Sequence, residues 1–172
     1  MGEAEEAKKI LNKIVENRSS MADDVRESIY LTLGNLAISD GKIDEALGYL
    51  EKSLDVADGD DVSALVQTKK SIAMAHLEAG QTDRAISTLD GILEDLSDSG
   101  LEGKSVNLLK AEMWNYLSRV YGKKDDLAQA QHFSKLGESF LYFLIPMAYI
   151  LSNLHPRLLS IYSVANTQGR VG

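Results

Sequence analysis

Few side chains in this sequence could carry out nucleophilic or acid–base chemistry. The chain has three histidines and no cysteine, which excludes thiolate nucleophiles, thiolate metal sites and disulfide bonds. His76 and His132 lie far apart in the sequence, and no nucleophile motif accompanies either of them. Catalysis requires a nucleophile, a base and an orienting group that converge. We therefore expect neither an enzyme nor a bound cofactor or metal.

The acidic segment Asp58-Gly-Asp-Asp61 is the one short motif that suggests cation binding. It lacks the alternating ligands and the closing glutamate of a calcium loop. Asp61 is better placed to cap the start of a following helix. The segment is therefore interpreted as a turn.

The charge distribution limits the class of partner. All 26 acidic residues lie between Glu3 and Glu138, and the net charge of the chain is -8. A surface this negative repels phosphate backbones. Nucleic acid is thus excluded as a partner, and a neutral or basic protein is favoured.

The composition favours a helical body with a core of its own. The chain has 172 residues, 44% of them hydrophobic, and its two prolines, Pro146 and Pro156, both come late. A chain of this size and hydrophobicity can bury one substantial core. The residues before Pro146 are free of the strongest helix breaker.

Small residues recur at regular intervals along this body. Gly41 and Ala46 are repeated as Gly80 and Ala85, and the alanines at 7, 46, 85 and 130 are separated by 39, 39 and 45 residues. Repetition at such a period is the signature of a stacked repeat architecture.

Each copy has the pattern of a helix, a tight turn and a returning helix. Gly41 is predicted to end the first helix in the left-handed conformation. Ala46 is small enough to let the two helices approach to about 8–10 Å. Gly34, inside the first helix, costs about 1 kcal/mol relative to alanine, and we attribute its presence to close packing against the second helix.

These residues resemble the tetratricopeptide repeat family. The match runs through Tyr30, Leu33-Gly34, Ala37, Gly41, Ala46 and Leu50, and again through Trp114, Leu117, Ser118, Tyr121, Leu127 and Ala130. The middle copy is weaker, with Lys69, Ile72-Ala73 and His76 at the first-helix positions. The family period is about 34 residues, so the longer intervals here are similar to the roughly 40-residue subtype of kinesin light chain and cell-polarity adaptors.

The resemblance implies an all-α fold, a right-handed superhelical stack of antiparallel helix hairpins. Residues 2–17 would be the second helix of a truncated repeat, followed by repeats at 23–58, 61–97 and 104–140. The chain would then start halfway through a repeat, so we expect it to be a fragment or a shortened isoform of a longer protein.

In such a stack the first helices line a concave face that holds an extended peptide. The corresponding positions here are Ser28, Leu31, Asn35, Ile38, Gln67, Lys70, Met74, Leu77, Glu112, Asn115, Arg119 and Lys123. Asn35, Gln67 and Asn115 would suit peptide amides, while Leu31, Met74 and Leu77 would accept apolar side chains. The alternative is that these are ordinary solvent-facing residues.

The resemblance also argues against one recognition mode. Chaperone-binding members of the family clamp a C-terminal carboxylate with a lysine and an asparagine. Leu31 occupies the first lysine position here, although Asn35 matches, so we expect this clamp to be absent.

Residues 141–172 do not continue the repeat. They open with an uncharged apolar run that is short for a membrane span and contains Pro146. The run is compatible with a membrane anchor within 140–165, with an aberrant splice end, or with a helix that caps the stack.

The function predicted from the sequence is a protein-interaction adaptor. It would be cytoplasmic, since the N-terminus shows no signal peptide, and would bind an extended segment of another protein. The alternative is a membrane-tethered scaffold held by the apolar tail.

Overall fold

The protein is all-α throughout the part that the structure describes. The computed structural model describes residues 3–17, 21–59, 61–101 and 103–144. Within these ranges it contains α1 (Glu3–Asn17), α2 (Asp23–Ser39), α3 (Ile43–Val56), α4 (Val62–Glu78), α5 (Thr82–Asp98), α6 (Lys104–Lys123) and α7 (Leu127–Leu144), and no strand. The all-α prediction is confirmed.

The turns α2–α3, α4–α5 and α6–α7 share one hydrogen-bonded geometry. Gly41 and Gly80 both have φ 72°, and Asp125 has φ 62°. In the first turn the amide of Lys42 donates to the carbonyl of Ala37 at 2.9 Å, the bond that satisfies a free carbonyl at a helix end. The prediction for Gly41 is confirmed, and an aspartate adopts the same left-handed conformation in the third turn.

Small residues set the distance between the two helices of a hairpin. Leu33, Ala37, Ala46 and Leu50 have no exposed surface. A Cβ atom added to Gly34 would lie 2.7 Å from Cγ and Cδ2 of Leu50. The predicted reason for Gly34, close packing of α2 against α3, is therefore confirmed.

The recurring alanines face neighbouring helices to different degrees. Ala46 and Ala85 are fully buried, whereas Ala7 and Ala130 are half-buried. In the third hairpin the hydroxyl of Ser118 donates to the carbonyl of Ala130 at 2.8 Å. The spacing found in the sequence thus corresponds to full burial at Ala46 and Ala85 and to a contact with α6 at Ala130.

The hairpins stack with their first helices together. α2 contacts α4 and α4 contacts α6, whereas α3 and α5 do not meet in the described part of the chain. A stack whose first helices are closer together than its second helices curves toward the first helices. The core runs through α4, α5 and α6, with Leu77, Leu89, Ile92, Met113 and Leu117 among its members. The right-handed superhelical twist stays a prediction.

Charged side chains connect helix α1 to the first hairpin. Lys8, 4% exposed, pairs with Asp40, and Lys42 pairs with Glu5 at 3.0 Å. Ile10, on the outer side of α1, is 52% exposed. Lys8 is the buried member of these pairs, whereas Lys42 and Glu5 are about half exposed.

The last described helix passes the boundary that the sequence suggested. α7 runs to Leu144, four residues beyond the predicted repeat end at 140. No helix within the described ranges combines the length and apolar character needed to cross a bilayer. The predictions of an anchor, a splice end or a cap fall largely on residues 145–172, which lie outside the described residues.

Candidate peptide-binding groove

A hollow of about 310 Å³ lies where α2, α4 and α6 run side by side. α2 and α4 provide most of its walls, and α6 contributes one aromatic ring. The lining residues are Leu31, Asn35, Ile38, Ser39, Gln67, Lys70, Ser71, Met74 and Tyr116. We call this hollow the groove.

Six of the residues selected from the sequence line the groove together. They are Leu31, Asn35, Ile38, Gln67, Lys70 and Met74. They come from two helices in different hairpins, so only the stacking of the first helices brings them into one hollow.

Apolar side chains and one unengaged amide give the groove its character. Leu31, Ile38 and Met74 are half-buried, which leaves part of each side chain open to a ligand. The side chain of Asn35 is exposed and makes no hydrogen bond within the described part of the chain. Such a surface can accept apolar side chains while an amide pairs with peptide backbone.

The ammonium group of Lys70 is held in place by three neighbours. Its Nζ lies 2.9 Å from Oε1 of Glu112 and donates to Oε1 of Gln67. It also lies 5.9 Å from the centre of the Tyr116 ring, and Arg119 lies 5.5 Å from the same ring. Because its charge is already paired, the Lys70 side chain lines the groove in a fixed position and is not available as a free cation.

Leu77 does not belong to the groove. It is 2% exposed and packs in the core between the second and third hairpins. A leucine facing α5 and α6 gains more from burial than from a solvent-open face. Its assignment to the concave face is corrected.

Asn115 is turned toward α7 instead of α4. Its Nδ2 donates to the carbonyl of Ala111 at 3.1 Å. Its amide also lies 3.2 Å from where a Cβ of Gly137 would be. The missing side chain at Gly137 leaves space for this amide. Asn115 is nevertheless exposed, so its pairing with a peptide stays a prediction.

The other selected residues lie outside the hollow itself. Ser28 is exposed near the start of α2, and Arg119 is exposed on α6. Lys123 pairs with Glu78 of α4 at 3.5 Å. These residues can border the groove but do not line it.

Sequence reasoning missed three lining residues, Ser39, Ser71 and Tyr116. Each directly follows a selected position, after Ile38, Lys70 and Asn115 respectively. An apolar or functional helix face is at least about 100° wide, so two adjacent residues can share it. Widening each selected position by one residue would have found all three.

His76 and His132 are engaged in local contacts. Nδ1 of His76 lies 2.9 Å from Oε1 of Gln81, and the His132 ring lies edge-on to Phe133 with 5.3 Å between centres. No three histidine, aspartate or glutamate side chains of the described residues are arranged to hold a metal ion together.

Comparison with known proteins gives one match. Residues 27–60 match the family model described as tetratricopeptide repeat, a range that covers most of α2 and all of α3. Neither the curated proteins nor the solved structures contain a match to this chain.

Proposed function

Because this chain carries a tetratricopeptide repeat at residues 27–60, we propose that it is an interaction scaffold whose groove holds an extended segment of a partner protein. One observation carries the proposal: six residues selected from the sequence as peptide-contacting line a single hollow. Repeats of this family generally mediate protein–protein interaction.

The groove has the dimensions for a short stretch of extended chain. Neighbouring packed helices are about 8–10 Å apart, so a path from α2 across α4 to α6 spans roughly 20 Å. An extended peptide advances about 3.3 Å per residue, which gives about six residues across the three helices. The hollow of about 310 Å³ would take one or two of their side chains.

The groove favours an internal segment over a free C-terminus. Leu31 provides no positive charge for a terminal carboxylate, and Lys70 is already paired with Glu112. The scaffold as a whole is acidic, with a net charge of -8. We therefore expect a segment with apolar side chains at its centre and neutral or basic flanks.

Peptide selection tests the proposal without requiring that the partner be identified first. A random peptide library is selected on the full chain, and the affinity of the enriched peptide is measured by calorimetry for the wild type and for two groove variants. Asn35→Ala removes the free amide, and Leu31→Glu places a charge among the apolar contacts. We expect each to weaken binding roughly tenfold or more, the effect of about 1.4 kcal/mol.

Two matched controls make the result interpretable. Gln131→Ala also removes an exposed amide, and Leu127→Glu also replaces a leucine, 67% exposed, with a charge. Both lie on α7, away from the groove. If the groove variants bind as tightly as wild type, or the α7 variants lose binding equally, the groove is not the binding site.

A further inference from the structure

Lys70 is the only charged residue among the described residues that line the groove. Its side chain is 17% exposed, and the apolar side chains of Leu31, Ile38 and Met74 line the same hollow. An unbalanced ammonium group in such a place would attract a carboxylate of the partner, because charges interact more strongly where little water separates them. Whether the groove accepts or rejects acidic segments therefore depends on the group that balances Lys70.

The balancing charge comes from Glu112 of α6. Its Oε1 atom lies 2.9 Å from Nζ of Lys70, and the Glu112 side chain is 35% exposed. Glu112 does not line the groove itself. The two residues belong to neighbouring hairpins, so the pair forms only when the hairpins are stacked. Because both side chains are partly buried, salt screens this pair less than it screens pairs on the open surface.

Two further contacts keep the ammonium group of Lys70 beside Glu112. It donates a second hydrogen bond to Oε1 of Gln67, one turn earlier on α4. It also lies 5.9 Å from the centre of the Tyr116 ring, and Tyr116 follows Glu112 by one turn of α6. An ammonium group has three N–H donors. Two of them are thus used within the protein.

An acidic side chain that enters the groove beside Lys70 meets a carboxylate that is already there. Either Glu112 is displaced and its bond to Lys70 is lost, or it stays and repels the second negative charge. A neutral side chain meets neither penalty. A built-in repulsion of this kind is a common source of binding specificity.

Arg119 does not supply a free positive charge inside the hollow. Its guanidinium group lies 5.5 Å from the centre of the Tyr116 ring, but the residue is exposed and does not line the groove. Solvent and salt weaken the interactions of exposed charges. Arg119 therefore acts at the border of the groove, where a charged group of a partner stays in water.

We propose that Glu112 sets the charge selectivity of the groove. By neutralising Lys70 it excludes segments that carry an acidic side chain beside Lys70 and selects segments that are uncharged there. Glu112 acts through Lys70 and is therefore a positioning residue. The inference rests on the proposed binding of a peptide in the groove, and it adds a consequence: neutralising Glu112 reverses the selectivity in favour of an acidic side chain.

The test compares glutamine with glutamate at the same position of one peptide. Each position of the peptide enriched on the wild-type chain is replaced in turn by glutamine and by glutamate, which have nearly the same shape and differ in charge. Calorimetry gives the ratio of the two dissociation constants at each position. The variants of the full chain are Glu112→Gln, which keeps an acceptor for Lys70, and Lys70→Gln, which leaves Glu112 unbalanced. Glu94→Gln, at an exposed position of α5, removes the same charge and is the matched control.

In the wild type we expect the glutamate peptide to bind roughly tenfold more weakly than the glutamine peptide at one position. Glu112→Gln should reverse the preference at that position to roughly tenfold in favour of glutamate, and added salt should reduce the reversed preference. Lys70→Gln should increase the preference for glutamine, because Glu112 then repels an acid with no cation beside it. Glu94→Gln should leave every ratio as in the wild type.

Several results would overturn the inference while peptide binding stands. One is a ratio unchanged by Glu112→Gln; if that variant does not fold, an unchanged ratio in Lys70→Gln decides in its place. Another is equal weakening of both peptides by Glu112→Gln, which would mean that Glu112 only maintains the shape of the groove. The same reversal in Glu94→Gln would indicate an effect of net charge.

Failure of the proposed function gives a different result. If binding of the enriched peptide is insensitive to both Asn35→Ala and Leu31→Glu, the groove does not hold it. That outcome overturns the proposed function, and this inference with it.

Discussion

Replacing Gly34 with alanine tests the close packing of α2 against α3 in the first hairpin. The added Cβ would lie 2.7 Å from two carbon atoms of Leu50, whereas carbon atoms in good contact are about 3.5–4.0 Å apart. Leu50 has no exposed surface, so it cannot relieve this overlap by moving into solvent. We therefore expect Gly34→Ala to destabilise the protein.

The magnitude follows from two opposing effects. Alanine is favoured over glycine within a helix by about 1 kcal/mol, while overpacking a core costs about 1–3 kcal/mol. The net change at Gly34 is thus a loss of about 0–2 kcal/mol. Gly48 in α3 is the matched control, since a Cβ added there meets nothing within 4 Å, and Gly48→Ala should gain up to about 1 kcal/mol.

Urea unfolding followed by far-ultraviolet circular dichroism measures both variants under the same conditions. The predicted difference between them is about 1–3 kcal/mol, with Gly48→Ala the more stable. A further experiment introduces Gly34→Ala into the Leu50→Ala variant. The smaller side chain at position 50 leaves room for the added methyl group, so Gly34→Ala should stabilise this variant. The reasoning is refuted if Gly34→Ala raises the unfolding midpoint as much as Gly48→Ala does.

Three further predictions concern single charged residues. Lys8→Met should lower the hydrogen-exchange protection of α1 relative to the other helices, because Lys8 hydrogen-bonds Asp40 and so lowers the pKa of the Asp40 carboxyl. A carboxyl group whose pKa is lower in the folded protein stabilises the fold above its usual pKa, and this stabilisation is lost as the pH falls through the folded pKa. The hydrogen-exchange protection of wild-type α1 should therefore fall in the acidic range. If neither Lys8→Met nor a lower pH changes the hydrogen-exchange protection of α1, the role of the Lys8–Asp40 pair is contradicted. Glu27→Gln should raise the free energy of unfolding by up to about 1 kcal/mol near neutral pH, because burial and the carboxylates of Asp61, Asp24 and Asp58 disfavour the charged form of Glu27. Because burial raises the pKa of Glu27 in the folded protein, the stability gained by Glu27→Gln should be absent below the usual glutamate pKa and complete above the raised pKa. An equal gain at low and at neutral pH would contradict this prediction. Asp61→Ala should cost about 1 kcal/mol in urea unfolding by removing the cap on Ala64, and a midpoint like that of wild type would exclude this role.

The hairpins could be predicted because their determinants are local. A helix stop at Gly41 and a small residue at Ala46 follow from backbone conformation and close approach, which nearby sequence specifies. The cap at Asp61 is similar, and the structure confirms it. Asp125 adopts the same positive φ as the turn glycines. The type of residue alone therefore does not predict every turn of this kind.

The groove could be predicted less completely because neighbours decide which way a side chain turns. Successive helical residues differ by about 100° in direction, so spacing alone places a face to within about one position. Leu77 turns into the core, and Tyr116 enters the groove beside the position predicted for Asn115. The space that Asn115 fills is left by Gly137, a residue on another helix.

Some residues that are distant in sequence lie together in the fold, as in a second hollow lined by Asp23, Asp24, Glu27, Val56, Ala57, Asp58 and Asp61. The segment from Asp58 to Asp61 is predictable as a turn, but Asp23, Asp24 and Glu27 lie some thirty residues earlier. The first hairpin brings the start of α2 beside the end of α3, and this joins the two groups. No local pattern could have shown that Glu27 would be buried among them.

The most direct measurement is the binding footprint of a selected peptide on the isotope-labelled chain, combined with intermolecular nuclear Overhauser contacts. The scaffold proposal predicts contacts from Leu31, Asn35 and Met74 to one peptide bound in an extended conformation, with α3 and α5 unaffected. Contacts confined to α3, α5 or α7, or a peptide that binds without touching α2 and α4, would contradict it.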